Sequence, residues 1–468
     1  MSNLPTNWAR CNLGDLIENI EAGLNVKCEE RPPEKGERGL VKISAVTWGR
    51  FDENQSKTLP SDATPDISKK INQGDLLFSR ANTLELVGAS VIVHDIKKEL
   101  YLSDKVLRLI ISDGMKSWVN YALKTQAMRK AIGEASSGNQ LSMRNISQDK
   151  LKALELPIAP LAEQRRIADK LDITLTRVDA LNDRLARITP LLKRFRQSVL
   201  AAATSGRLTE DWRSQNDIGS EWLNEPAKVL SNLVELDMGF AFKSAEFVDN
   251  DGIRLLRGDN IEPGNLRWTD AKKYPEDKFE EKRHILLSCN DIVLAMDRPI
   301  ISTGLKIAKV KNEDLPCLLV QRVCRVKCGE YLQNDYAYLL LNSQNFIDHL
   351  LSVQNGSSVP HISGKQILSY KVKIPSLKEQ TEIVRRVETL FAFADRLEAR
   401  LQSAQTAAER LTPALLAKAF RGELVPQDPN DEPAAELLRR LREARAADTT
   451  SKPKRGRKAG AATPVAGA

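Results

Sequence analysis

Arg, Asn and Gln concentrate in a few polar loops of this chain. Arg80-Ala-Asn82-Thr83 follows an apolar run that ends at Ser79, and Asp297-Arg298 follows the corresponding run in the second half. Arg254, Arg257, Asp259 and Asn260 cluster on and after a third run. The loop Ser136–Asn145 carries Asn139, Gln140 and Arg144, the loop Asn355–Ser363 carries His361, and Lys42 lies in a strand-like run. Guanidinium and carboxamide groups suit paired hydrogen bonds to base edges, while Lys and hydroxyl side chains more often hold phosphates. The candidate DNA-binding residues are thus Lys42, Arg80, Asn82, Thr83, Asn139, Gln140, Arg144, Arg254, Arg257, Asn260, Arg298 and His361. Each alone also fits an ordinary solvated surface position. What distinguishes them is that the same loop of each half carries them.

Reaction chemistry is harder to find. No GxxxxGK[ST] phosphate loop is present, which argues against nucleotide hydrolysis. No glycine-rich methyl-donor or dinucleotide loop follows a strand, and no Asn-Pro-Pro-aromatic run occurs. Pro65-Asp66 and Glu276-Asp-Lys278 are the nearest approach to a nuclease carboxylate cluster, but they fall in different halves. Cys289, Cys317, Cys324 and Cys328 lack zinc spacing, and core packing is the better reading for them. His94, His284, His349 and His361 have no metal or triad partner nearby in sequence. The chain reads as non-catalytic, with no metal and no cofactor of its own.

Composition agrees with a soluble, multidomain protein. The 468 residues are 41% hydrophobic and 28% charged, and no apolar run approaches the ~18 residues a membrane span needs. The N-terminus lacks a basic-then-apolar signal pattern, and six scattered cysteines suit a reducing cytoplasm. The net charge of +8 is uneven: Ser451–Lys458 holds five basic residues and no acid, leaving +3 for the rest. DNA affinity must therefore come from local patches. The Ala-rich tail from about Ala446 to Ala468 reads as disordered, and its basic cluster is either a phosphate contact or a solubilising tail.

The elements that position these loops come in duplicate. Ile158–Thr209 and Ile374–Val425 align without a gap at an offset of 216 residues. Identical pairs include Glu163/Glu379, Gln164/Gln380, Ile167/Ile383, Leu185/Leu401, Ala203/Ala419 and Gly206/Gly422. Both copies read as long helices with a heptad seam. In the first the seam is Ile167, Leu171, Thr174, Val178, Leu181, Leu185, Ile188, Leu192 and Phe195. In the second it is Ile383, Val387, Leu390, Ala394, Leu397, Leu401, Ala404, Ala408 and Leu411. A coiled coil fits the wide polar faces better than a bundle helix in one core. Pro190 and Pro413 should kink or restart the helices, and Gly206 and Gly422 fall where a left-handed cap belongs.

The regions before the helices repeat too. A short helix is expected over Leu13, Leu16, Ile17 and Ile20. Strands are expected at 39–46, 75–79, 89–93 and 105–111, and a helix at 118–132. Gly252–Leu256, Asn290–Leu294 and Val320–Val326 match these strands in the second half, with a helix over Tyr336–Leu351. The framework is shared while loop length and chemistry differ, as expected of two readers on one scaffold.

Pro160-Leu-Ala-Glu-Gln164 and Pro375-Ser-Leu-Lys-Glu-Gln380, each opening a long helix, resemble the conserved regions of type I restriction–modification specificity (S) subunits. The runs Leu192–Leu200 and Ala417–Leu424 and the opening Leu4-Pro-x-x-Trp8 strengthen the likeness, which spans roughly residues 1 to 440. The second copy has Pro-Ser-Leu where the family commonly has a Pro-Pro-Leu type run. The resemblance implies an α+β fold: two mixed α/β target-recognition domains separated by two long antiparallel coiled-coil helices, with an internal pseudo-two-fold repeat. It places the first recognition domain at 1–150, a central conserved helical region at 151–209, the second recognition domain at 210–365 and a C-terminal conserved helical region at 366–425. An extension and basic tail occupy 426–468. It implies a non-catalytic subunit in which each domain reads one half of an asymmetric bipartite target in double-stranded DNA. The coiled coil would set the spacer and dock two modification (M) subunits, which use S-adenosylmethionine to methylate adenine. Two restriction (R) subunits would add ATP- and Mg2+-dependent translocation and cutting. Up to Pro190 the first helix would run about 43 Å, the scale of the ~34–36 Å between half-site centres one helical turn apart. A coiled-coil scaffold without sequence-specific DNA binding is the alternative.

Overall fold

The computed structural model describes residues 4–138, 143–248, 251–353 and 360–451. Asn139, Gln140 and the basic segment beyond Ser451 lie outside them. Two compact units make up the chain: Met1–Arg184 with Ala404–Ala468, and Leu185–Ser403.

In the first unit an antiparallel four-stranded sheet runs in the order Asn19–Glu21, Val106–Ile110, Leu76–Ser79, Ser90–Ile92. A three-stranded sheet orders Ser56–Thr58, Arg38–Val41, Glu99–Tyr101, the last two parallel. Side chains alternate across a strand, so Leu76 and Phe78 enter one core with the helices while Leu77 enters another. Burial on both faces explains why this strand reads as an unbroken apolar run. Beneath the sheet, Arg108 is 6% exposed and donates to Glu21, Asp75 and the carbonyls of Lys70 and Ser68. Burial pushes the Glu21 carboxyl up, but the hydrogen bond and charge of Arg108, with Lys69, outweigh it and hold Glu21 below its ordinary range.

The second unit repeats this plan strand for strand. Its four-stranded sheet orders Val234–Met238, Val323–Cys328, Ile292–Ala295, Ile307–Lys309, and its three-stranded sheet orders Lys273–Tyr274, Ile253–Leu256, Cys317–Leu319. Ile292 and Leu294 face one core, Val293 and Ala295 the other. Arg325, 7% exposed, bonds Asp237, Asp291 and the Leu286 carbonyl. At Asp237 burial again opposes ionisation, and Lys327 and Arg325 again overcome it.

The long helices are Leu161–Thr204 and Leu377–Ala419. In the first unit Ile167 and Leu171 pack with Leu416 and Ala419. In the second, Val199 and Ala203 pack with Ile383 and Val387, and Leu192 with Ala394 and Leu401. Rising numbers meet falling ones, so the pairing is antiparallel. Arg196 spans the seam to Asp395 (2.7 Å) and Glu398 (2.9 Å).

The duplicated Glu-Gln pair anchors each module to its helix. Glu163, 1% exposed, accepts from Trp8 Nε1 (2.9 Å) and Gln427 Nε2 (2.6 Å), and Gln164 donates back to the Ala159 carbonyl. Glu379, fully buried, accepts from Trp222 Nε1 (3.1 Å), Thr209 Oγ1 (2.7 Å) and Arg213, and Gln380 donates to the Pro375 carbonyl. Each carboxylate lies in its helix's first turn, where the N-terminal dipole favours negative charge. The residues identical between copies are therefore scaffold.

Several expectations from sequence need correction. The first strand ends at Val41, and Ser44–Thr47 is a helical turn. The N-terminal helix covers only Leu13–Leu16, and Ile20 lies in a strand. The helix expected over 118–132 is two, Asp113–Lys124 and Gln126–Ala135, because Thr125 caps the second through Met128 N–H. Tyr336–Leu351 likewise divides into Asn334–Leu341 and Gln344–Val353. The long helices do not restart at Pro190 and Pro413 but continue through them; each Pro removes one ladder bond. The seam is incomplete, since Leu181 and Leu411 are each 40% exposed. The extension is a helix, Ala434–Ser451, that seats Ala434, Leu437 and Leu438 in the first unit's core. Helix therefore extends beyond Ala446, where the tail was expected to begin. Gly206 and Gly422 are left-handed as expected, at φ 76° and 73°.

Candidate nucleic-acid interface

In the first module the polar loop after Leu76–Ser79 forms a short strand, Ala81–Asn82, which pairs with Arg144–Asn145 of the return loop. This brings Arg80, Asn82, Thr83 and Arg144 together. Arg80 Nε donates to Asn145 Oδ1 at 3.3 Å. Asn82 donates to Thr47 Oγ1 and accepts from Thr83 N–H. Arg144 is largely occupied, bonding the Ser136 hydroxyl and the Ser136 and Gly138 carbonyls. Lys42 lies just before the Ser44–Thr47 turn, 3.4 Å from Glu30. Trp48, which ends that turn, is 73% exposed. It was not among the residues selected from sequence, although Trp48-Gly-Arg50 lies between the strands expected at 39–46 and 75–79.

The second module repeats the contact with different chemistry. Asp297 bridges His361 just as Ala81 pairs with Asn145, both at the 216-residue offset. Arg298 N–H donates to the Pro360 carbonyl at 2.8 Å, and its backbone is left-handed at φ 45°. His361 Nδ1 lies 2.7 Å from Asp297 Oδ1, and Arg322 lies 3.2 Å from His361 Nε2. Arg298 is exposed, with no side-chain bond to any described residue, and Arg257 is within 3.7 Å of Asp259. Two selected residues serve the fold instead. Arg254 stacks on Trp268 (4.6 Å) and bonds the Glu313 and Leu315 carbonyls. Asn260, 6% exposed, closes its own turn through Arg257 N–H and the Arg267 carbonyl. Arg322, at φ 67° and beside His361, and Lys306, whose N–H donates to the Pro299 carbonyl next to Arg298, lie by the same loop and were not selected from the sequence.

Among the described residues no group of three or more His, Cys, Asp or Glu could hold a metal ion. Asp66 caps a short turn by accepting from Ser68, and Glu276–Lys278 forms another turn. Burial pushes the Cys317 and Cys324 thiols up to about 12, which keeps them protonated. No helix among the described residues is long and apolar enough to cross a membrane.

A model of the type I restriction modification DNA specificity domain matches residues 5–189 and again 227–404. The EcoKI specificity subunit of Escherichia coli K12 is 30% identical over 432 residues, covering 89% of this chain and 90% of that protein. The EcoBI specificity subunit of Escherichia coli is 31% identical, covering 96% and 94%. The HsdS subunit from Thermoanaerobacter tengcongensis superposes with a TM-score of 0.55 at 18% identity, over 90% of this chain and 98% of that one. A chain solved in work on complex assembly and conformational transition of the type I R-M system gives 0.61 at 16% identity, over 90% and 100%. These two likenesses concern the fold. With the domain matched twice and relatives aligned over nearly its whole length, this chain belongs to the type I restriction–modification DNA specificity family.

Proposed function

We propose that this chain is the DNA sequence-specificity subunit of a type I restriction–modification complex. Its two recognition domains, 1–150 and 210–365, each read one half of an asymmetric bipartite target. The observation that carries this reading is the repeated loop contact. The same backbone pairing occurs at the same offset in both modules, yet it presents Arg80, Asn82 and Arg144 in one and Asp297, Arg298 and His361 in the other. A constant frame with variable polar side chains suits two readers of different sequences.

The paired helices set the gap between half-sites and offer duplicated surfaces to two M subunits. Methyl transfer from S-adenosylmethionine belongs to those subunits, and ATP- and Mg2+-dependent cutting to two R subunits. This chain contributes neither cofactor nor catalysis and works in the cytoplasm. The test is methylome sequencing of a naive host expressing this chain with its cognate M subunit, against M alone. A new bipartite methyladenine motif with a fixed gap, dependent on this chain, is expected. An assembled complex that yields no new motif overturns the reading.

A further inference from the structure

Lys306 stands out among the charged residues of the second module. The residue is only 8% exposed, yet its ammonium makes no hydrogen bond or ion pair with any described residue and its tip still reaches the surface. Its backbone is pinned on both sides: the carbonyl accepts from Ala295 N–H (3.0 Å) and the N–H donates to the Pro299 carbonyl (2.7 Å). The side chain runs along the start of the Gly258–Asn260 turn, where a Cβ on Gly258 would stand 4.0 Å from Nζ. Burial pushes its pKa down, opposed by Asp259 and Asp297 and reinforced by Arg298. The ammonium thus stands, without an acceptor among the described residues, beside the loop residues of the repeated contact.

A lysine that only keeps the surface soluble would leave its stem free. Here the stem is buried, so less rotamer freedom is left to lose when an acceptor arrives. In the first module Ser79 N–H donates to the Ala89 carbonyl, as Ala295 N–H does to Lys306, so Ala89 occupies the corresponding place. The lysine therefore belongs to one reader and not to the shared frame. Two carboxylates nearby, Asp259 and Asp297, disfavour a phosphate as the acceptor. A base edge, with acceptors and donors side by side, suits the mixed cluster better, and guanine O6 and N7 are the acceptors a lysine ordinarily takes in the major groove.

We propose that Lys306 is a specificity-determining residue of the second module, donating to a base-edge acceptor, guanine by preference, in that module's half-site. This rests on the proposed function, and the test separates the two. The full chain carrying Lys306→Met, which keeps the stem and removes the charge, is expressed with the cognate M subunit, and the methylome is compared with that of the unaltered chain. The expected result is relaxation at one position of one half-site, with discrimination there falling about 5- to 150-fold. The other half-site and the gap stay unchanged and report correct assembly. Lys306→Arg should keep the preference. If Lys306→Met abolishes methylation, its restoration by Lys306→Arg supports the donor role, and failure to restore overturns it. An unchanged motif, or uniformly weaker methylation with no change of motif (a phosphate contact), also overturns it. Absence of a bipartite motif from the unaltered chain would instead sink the function on which the inference rests.

Discussion

At the scale of residues, type and loop position select candidates but do not say which are free to bind. Arg254 and Arg298 look alike in sequence, each beside an apolar strand. Arg254 is consumed by Trp268 and by carbonyls of Glu313 and Leu315, the carbonyl partners lying far along the chain where no local pattern reveals them. Arg298 is exposed on a left-handed backbone, with no side-chain bond to a described residue. The two should respond oppositely to truncation. Arg254→Ala should cost about 2 kcal/mol, the sum of a partly desolvated cation–π contact and two hydrogen bonds, while leaving the methylation motif unchanged. Arg298→Ala should alter one half-site and leave the melting temperature nearly constant. Thermal melts and methylomes of both variants check this, and exchanged behaviour would reverse the assignment. Lys306 was illegible for the converse reason. Between Leu305 and Ile307 it reads as the outward position of a strand, yet the side chain is 8% exposed and its tip lies beside the Gly258 turn, which is distant in sequence.

At the scale of elements, what repeats was legible and what interrupts was not. The 216-residue offset locates both long helices, both central strands and both left-handed glycines from the amino-acid sequence alone. The breaks at Thr125 and after Leu341 escape it because apolar periodicity runs through them, while a hydroxyl cap decides the matter locally at Thr125. Pro190 and Pro413 suggest a restart that does not occur, since packing of a 44- or 43-residue helix on its antiparallel partner outweighs one lost bond. Gly206 illustrates how tightly the helix end is specified. At φ 76° a Cβ would meet the Trp222 ring at 2.9 Å and Leu223 at 3.1 Å. Trp222 is the residue that donates to Glu379. Gly206→Ala should therefore lose more than the ~1–2 kcal/mol of the left-handed backbone alone, read as a lower melting temperature. A loss of no more than the ~1–2 kcal/mol of the backbone would show that the Trp222 contact can shift without cost.

For the whole molecule, duplication extends to the electrostatics. Arg108 with Glu21 and Asp75, and Arg325 with Asp237 and Asp291, place the same buried cation between carboxylates in both units. Glu21 and Asp237 are held below their ordinary range, so each favours the folded state at any pH above the unfolded carboxylate value of about 4. That contribution disappears as pH falls through the lower folded values. Acid should accordingly destabilise both units, and Glu21→Gln should weaken the first unit at neutral pH while flattening its acid dependence. Hydrogen exchange resolved by unit reads this out, and an acid response of the first unit that stays unchanged in Glu21→Gln would remove the cluster from the account.

Charge also distinguishes the duplicated body from the basic tail. Without the five basic residues of Ser451–Lys458 the chain carries only +3, so the recognition modules cannot rely on a general positive field. Sequence reading and general attraction should then reside in different parts of the chain. Truncation after Ser451 in the assembled complex should leave the methylation motif and gap intact, because no recognition loop is touched. The logarithmic salt dependence of DNA binding should become shallower by up to about 4.5, five phosphate contacts at roughly 0.9 each. An unchanged salt slope would leave the cluster as a solubilising tail. A changed motif would mean that the tail takes part in reading bases, which neither module's geometry requires.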